Sequence, residues 1–198
     1  MDDIGDFVEN WLNNNPYLKN EKDFLEMESR IFTSLDNKDF EGFLIHFGNI
    51  DKIDAFLLIK DMVSNRANKI SLFRDVWCLS DIQHRRINEL KELFLDFQVD
   101  IMNDEEKAVL NNLPNKITIY RGIRVPVQFD LGVSWSINQT IAEKFMLYTA
   151  GIYFERLMGR NLPPTPSLRT ATIDKKDIIC YLNLREEQEV IYWDKEVN

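Results

Sequence analysis

Cysteine and histidine are scarce, with two of each in 198 residues. Cys78 and Cys180 lie far apart, each beside apolar neighbours, which fits buried thiols in a reducing compartment better than a disulfide framework. His46 and His84 are isolated, and with the two cysteines they offer no zinc-ligand spacing, so no metal is expected. No Gly-x-Gly-x-x-Gly occurs, which argues against dinucleotide binding at a Rossmann helix terminus. The chain opens Met1-Asp2-Asp3, with acid rather than a basic segment, and no apolar run approaches the roughly 20 residues that cross a bilayer. Export and membrane insertion are therefore not expected, and a cytoplasmic setting is. Internal repeats and low-complexity tails are missing too.

An excess of positive charge is also lacking. Residues 1–114 carry 23 acids and 13 bases, residues 115–198 carry 10 and 11, and the whole chain stands at −9. The acidic half argues against broad adhesion to nucleic acid while leaving a local basic groove open, so small molecules or proteins are the expected partners. The small basic cluster His84-Arg85-Arg86 reads as a solvated helix face or as ion-pair partners for the surrounding acids.

What is present suits a globular chain: 44% hydrophobic and 12% aromatic residues, enough for one well-buried core with a second small lobe. Phe24, Met27, Ile31 and Leu35 recur at helical spacing, as do Ile53, Phe56, Leu57 and Ile59, which predicts amphipathic helices. Asp81 is a candidate cap for a helix through Ile87, Leu90, Leu93, Phe94 and Phe97, and Asp104-Glu105-Glu106 reads as another acidic helix start. The helical half is expected to end near Leu113-Pro114.

From Lys116 the pattern changes to short β-branched and aromatic runs: "KITIYRGIRV", "GVSWS", "LRTATID", "DIICYL" and "EQEVIYW". These predict strands. Between the second and third, Ile141, Phe145 and Tyr148 lie at helical spacing, followed by the loop "GRNLPPTPS", whose prolines cannot join a sheet interior. The fold class expected is α+β, with an acidic helical lobe over 1–114 beside or packed on a small domain over 115–198.

Several residues break these patterns. Alternation puts Arg121 on the face that Ile117 and Ile119 would bury, where a guanidinium needs an anion: either a structural carboxylate or a bound phosphate or carboxylate ligand. Gly122 beside it permits close backbone approach. Ser134 and Ser136 share one face, with Val133 and Trp135 on the other, and serve either as caps and turns or as the lining of a site. Glu187 and Glu189, read as extended backbone, project side by side. They form either a solvated acidic strand entrance or a pair in which repulsion and desolvation raise one proton affinity while the other stays ionised.

The order of these elements, Tyr120-Arg121-Gly122, then Ser134-Trp135-Ser136, then Phe145 in a helix, then Glu187-Gln188-Glu189, resembles the Arg-Ser-Glu class of mono-ADP-ribosyltransferases, which contains clostridial-type toxins and phage-encoded modifying enzymes. The stretch "TATIDKKDIICYLNLREEQEVIYW" also looks like the closing strands of phage-type members. The resemblance covers residues 116–193 and implies a two-sheet domain using NAD as co-substrate, without a metal. It implies that Arg121 holds the NAD phosphates, Gly122 meets the nicotinamide amide, and Ser134 supports the catalytic glutamate and the pocket floor with Ser136 as a second prop. Phe145 would pack on the nicotinamide ring, Glu189 would bond the ribose 2′-hydroxyl, and Glu187 would receive and activate the acceptor. Two departures stand out: Trp135 replaces a common threonine, and the turn before Glu187 presents Arg185 where members often present an aromatic.

The activity implied is transfer of ADP-ribose from NAD to a macromolecule, with protein arginine favoured by the Glu-x-Glu form. The alternatives are transfer to nucleic-acid bases, with Arg124, Lys144, Arg156, Arg160 and Arg169 available to a single strand, NAD hydrolysis, or a non-catalytic inhibitor or binding module. The acidic lobe has three candidate roles: holding the target, covering the cleft, or binding a neutralising protein partner.

Overall fold

A computed structural model describes residues 2–80, 86–123, 133–147 and 166–193. Asp81, His84, Arg85, Arg124, Val125, Tyr148, Arg156, Arg160, Pro163 and Pro164, each given a place above, lie outside the described residues. The chain divides into two compact units, Met1–Gln83 and His84–Asn198.

The first unit is helical: α1 (Asp2–Asn13), α2 (Glu21–Asp36), α3 (Phe40–Ile45), α4 (Lys52–Ile59) and α5 (Arg66–Leu79). The helix starts are local chemistry. Asn20, Asp39 and Asn65 each accept the amide of a residue three positions on, satisfying one of the donors that a helix start leaves open. Ile4, Val8 and Leu12 are buried along one stripe of α1, whereas α4 is buried almost all round. Phe47 collects the rings of Phe7, Trp11 and Phe43 at 5.3, 5.1 and 5.0 Å, contacts each worth about 0.5–1.5 kcal/mol beyond their area. The buried Lys52 donates to the carbonyl of Leu44 at 2.9 Å, a cation placed at the C-terminal turn of α3.

The second unit holds α6 (Ile87–Phe97), a short 3₁₀ turn over Gln98–Ile101, α7 (Asp104–Asn112), β1 (Lys116–Ile123), β2 (Ser134–Ser136), α8 (Gln139–Leu147), β3 (Ser167–Asp174), β4 (Ile178–Leu182) and β5 (Glu189–Tyr192). The predicted stripe Leu90, Leu93, Phe94 and Phe97 is buried. The unit boundary at 83/84 falls before the change of pattern at 114/115, because α6 and α7 contact β4 and so group with the sheet.

The five strands lie in the order β3-β1-β2-β5-β4, with every pairing antiparallel. The fold is therefore α+β. The described strands form one sheet, where the resemblance implies two, but its seams are unequal. The β1–β3 ladder runs unbroken from Lys116↔Asp174 to Ile123↔Ser167, whereas β1 meets β2 at the single pair Tyr120↔Ser136. That seam separates a two-stranded part from a three-stranded part, and the residues singled out above gather along it.

Candidate functional site

Register decides which side chains can meet, because directly paired residues in an antiparallel sheet project to the same side. Tyr120 pairs with Ser136, Ser136 with Glu189, and Glu189 with Leu182, so these four make one row across β1, β2, β5 and β4. Ser134, two residues from Ser136, shares that face. The next row carries Arg169 paired with Arg121, and Trp135 paired with Val190, on the opposite face. Arg121 shares the face of Ile117 and Ile119, both buried, as strand alternation predicts. The same alternation starts the arginine on the other side of the sheet from Ser134, Ser136 and Glu189. Its guanidinium nevertheless reaches the seam, where it donates to the backbone carbonyl of Ser134.

Ser136 is the hinge of the arrangement. It is buried, its hydroxyl lies 3.0 Å from the carbonyl of Glu187 and 3.4 Å from that of Gln188, and it accepts the amide of Asn138 at 3.1 Å. The amide of Ile137 donates to Gln188 as well, at 3.1 Å. One serine thus forms the turn that opens α8 and also grips the segment ahead of Glu189. The glutamate itself is buried at 6% exposure, an uncommon place for a carboxylate, while Ser134 is half-buried.

The two glutamates do not stand side by side on an extended strand. Glu187 has φ −80° and ψ −10°, at the end of a 3₁₀ turn over Leu184–Glu186, and β5 begins only at Glu189. Arg185, Glu186 and Gln188 have φ of 57°, 60° and 48°, left-handed backbone in three residues that are not glycine, at a typical cost of about 1–3 kcal/mol each. Such a turn persists only where its surroundings hold it. The Glu187 carboxylate pairs with Arg185 Nε at 3.1 Å. Burial pushes the Glu187 carboxyl above its ordinary value, with the Arg185 charge pulling the other way.

Gly122 meets α8 rather than open space. A Cβ there would strike the backbone at Ala142 and Met146, so the close approach the glycine permits is to a helix. This sets α8 on the face carrying Ser134 and Ser136, with Ala142 and Met146 rather than Ile141 or Phe145 against the glycine. Ala142 is buried, whereas Phe145 is 41% exposed. Phe145 therefore stands at the surface of the same helix that covers Gly122. On the opposite face the Arg169 guanidinium lies 5.6 Å from the Trp135 ring, and the buried Trp135 Nε1 has no hydrogen-bond partner among the described residues.

Glu106, expected only as part of an acidic helix start, and Asn183, given no role by the sequence, hold the turn from behind. Glu106 is almost fully buried, accepts the amide of Asn103 in a capping box at 2.9 Å, and accepts the amide of Asn183 at 2.7 Å. Asn183 Oδ1 in turn accepts the amide of Gln188 at 3.2 Å. The pattern Asn103-x-x-Glu106 is a capping signature that sequence can show. Contact with a residue 77 positions away has no local signal.

Among the described residues no group of three or more His, Cys, Asp or Glu side chains gathers as a metal site would require, and no helix is long and apolar enough to cross a membrane. No protein family, curated protein or solved structure matches the chain.

Proposed function

We propose that this protein transfers ADP-ribose from NAD to a macromolecular acceptor, with protein arginine favoured, in the cytoplasm and on a small two-part sheet domain of the ADP-ribosyltransferase kind. The observation that carries the reading is the occurrence of Arg121, Ser136 and Glu189 on three neighbouring strands of the sheet, β1, β2 and β5, with Ser136 paired to Glu189 and bonded to the turn bearing Glu187. The buried Glu189 would stabilise the oxocarbenium-like charge that develops at the ribose as its bond to nicotinamide breaks, the electron pair leaving with the ring as neutral nicotinamide. A cationic leaving group needs little acid assistance, so Glu187 is available as base, taking the proton lost when a guanidine nitrogen attacks the ribose carbon. Its raised proton affinity suits that task. Arg121 would meet the NAD phosphates across the β1–β2 seam, the backbone of Gly122 would meet the nicotinamide amide, Ser134 and Phe145 would border the ring, and no metal takes part.

A second reading, a non-catalytic binding module on the same scaffold, is favoured by the register that starts Arg121 on the face opposite Glu189. Labelled NAD added to a cell lysate with the full-length protein, followed by protease or nuclease digestion, separates the possibilities. Label released by protease supports transfer to protein, and label released by nuclease moves the acceptor to nucleic acid. Nicotinamide release with no labelled macromolecule indicates hydrolysis, and intact NAD with a tight partner complex indicates the binding module.

A further inference from the structure

We propose that Glu106 is a positioning residue: from the N-terminus of α7 it fixes the 183–188 turn, and through it the placement of Glu187. The catalytic consequence rests on the transferase reading, whereas the conformational one does not. One carboxylate serves two backbone donors, its Oε2 accepting Asn103 N–H and its Oε1 accepting Asn183 N–H. The second bond is the shorter of the two, and it anchors the first residue after β4. From Asn183 the restraint continues through Oδ1 to the amide of Gln188, whose carbonyl is held on its far side by Ile137 N–H and the Ser136 hydroxyl. The turn is thus clamped at both ends, by α7 behind and by β2 in front, and between the clamps lie Arg185 and Glu186 with left-handed backbone. Left-handed conformations at non-glycine residues relax unless enough bonds oppose the relaxation. The carboxylate does so from a buried position, where charge-assisted hydrogen bonds are strongest.

Hydrogen exchange on the full-length protein, with steady-state kinetics of nicotinamide release, tests this. In Glu106→Ala, the amides of Asn183 and Gln188 exchange about ten- to a hundredfold faster, the range expected for bonds to a charged acceptor, while those of Ile119 and Val190 keep their wild-type rates. Asn183→Ala, a change at an exposed residue, speeds exchange at Gln188 in the same way, and Asn183→Asp, which keeps the acceptor oxygen, restores it. If Glu106→Ala does not fold, Glu106→Gln decides the matter: its single acceptor oxygen can serve only one of the Asn103 and Asn183 amides, so exchange at one of them rises, and wild-type exchange at both overturns the proposal. Where nicotinamide is released, kcat for transfer falls about ten- to a hundredfold, as for a reacting group displaced by roughly an ångström, with KM for NAD within about twofold. Wild-type exchange at Gln188 in Asn183→Ala overturns the proposal. Equal acceleration at Ile119, Val190 and the turn in Glu106→Ala also overturns it, because Glu106 would then only support the whole unit. A wild-type protein that releases no nicotinamide overturns the transferase reading instead, and the exchange data still decide the role of Glu106.

Discussion

Glu187 and Glu189 differ in almost every respect that spacing alone would treat as shared. Glu189 lies in a strand, buried and paired with Ser136, while Glu187 lies in a left-handed turn beside Arg185. This asymmetry suits a division of labour. Glu189→Ala is expected to abolish transfer and hydrolysis with the fold intact by circular dichroism, whereas Glu187→Ala loses transfer but retains part of the NAD hydrolysis, measured as nicotinamide release without labelled acceptor. The pH dependence has a definite sign. The folded-state value of Glu187 is raised above 4.5, so the folded protein binds more protons than the unfolded chain between 4.5 and the raised value. Stability contributed by the protonated group is complete below that window and is lost as pH rises through it. Glu187→Gln should flatten that part of the stability profile in chemical denaturation. Arg185→Ala removes the charge that holds the value down, so the acidic limb of transfer should move to higher pH; an unmoved limb would detach Glu187 from the base role.

At the scale of elements, the contact between β1 and α8 depends on one missing side chain. Gly122→Ala would drive a methyl group into the backbone at Ala142 and Met146, an overpacking expected to cost about 3 kcal/mol, read as a lower midpoint in urea unfolding. The strands themselves were legible: alternating β-branched and aromatic residues mark all five, and the ends of β1 and β3–β5 fall within a few residues of the expected spans. The inward face of α8 was not legible, because Ala142 rather than the larger Ile141 or Phe145 meets the glycine. Nor was the turn before Glu189, since nothing in "LREEQ" marks Arg185, Glu186 and Gln188 for positive φ. Glycine or asparagine would have announced such backbone; here bonds from Ser136, Ile137 and Asn183 impose it.

For the whole molecule, the sequence pattern located the change from helices to strands at 114/115, between α7 and β1, while the compact units divide at 83/84. The amphipathic stripes of α6 and α7 look like those of the helices before them, and only contact with β4 assigns them to the sheet unit. Charge divides by sequence as well, with most of the net −9 carried by residues 1–114. An acidic surface favours a basic acceptor such as an arginine-bearing protein and disfavours polyanions. Transfer to protein should therefore slow as salt rises from about 0.05 to 0.5 M, as screening of an attractive encounter requires; acceleration by salt would instead indicate a like-charged acceptor.

The most direct measurement is nicotinamide release from NAD by purified full-length protein, compared with Glu189→Ala of unchanged thermal stability. Time-dependent release by the wild type, lowered by about a thousandfold in the variant, is the expected result for loss of a group that stabilises transition-state charge. Equal rates in the two proteins, or NAD left intact by both, would contradict the account.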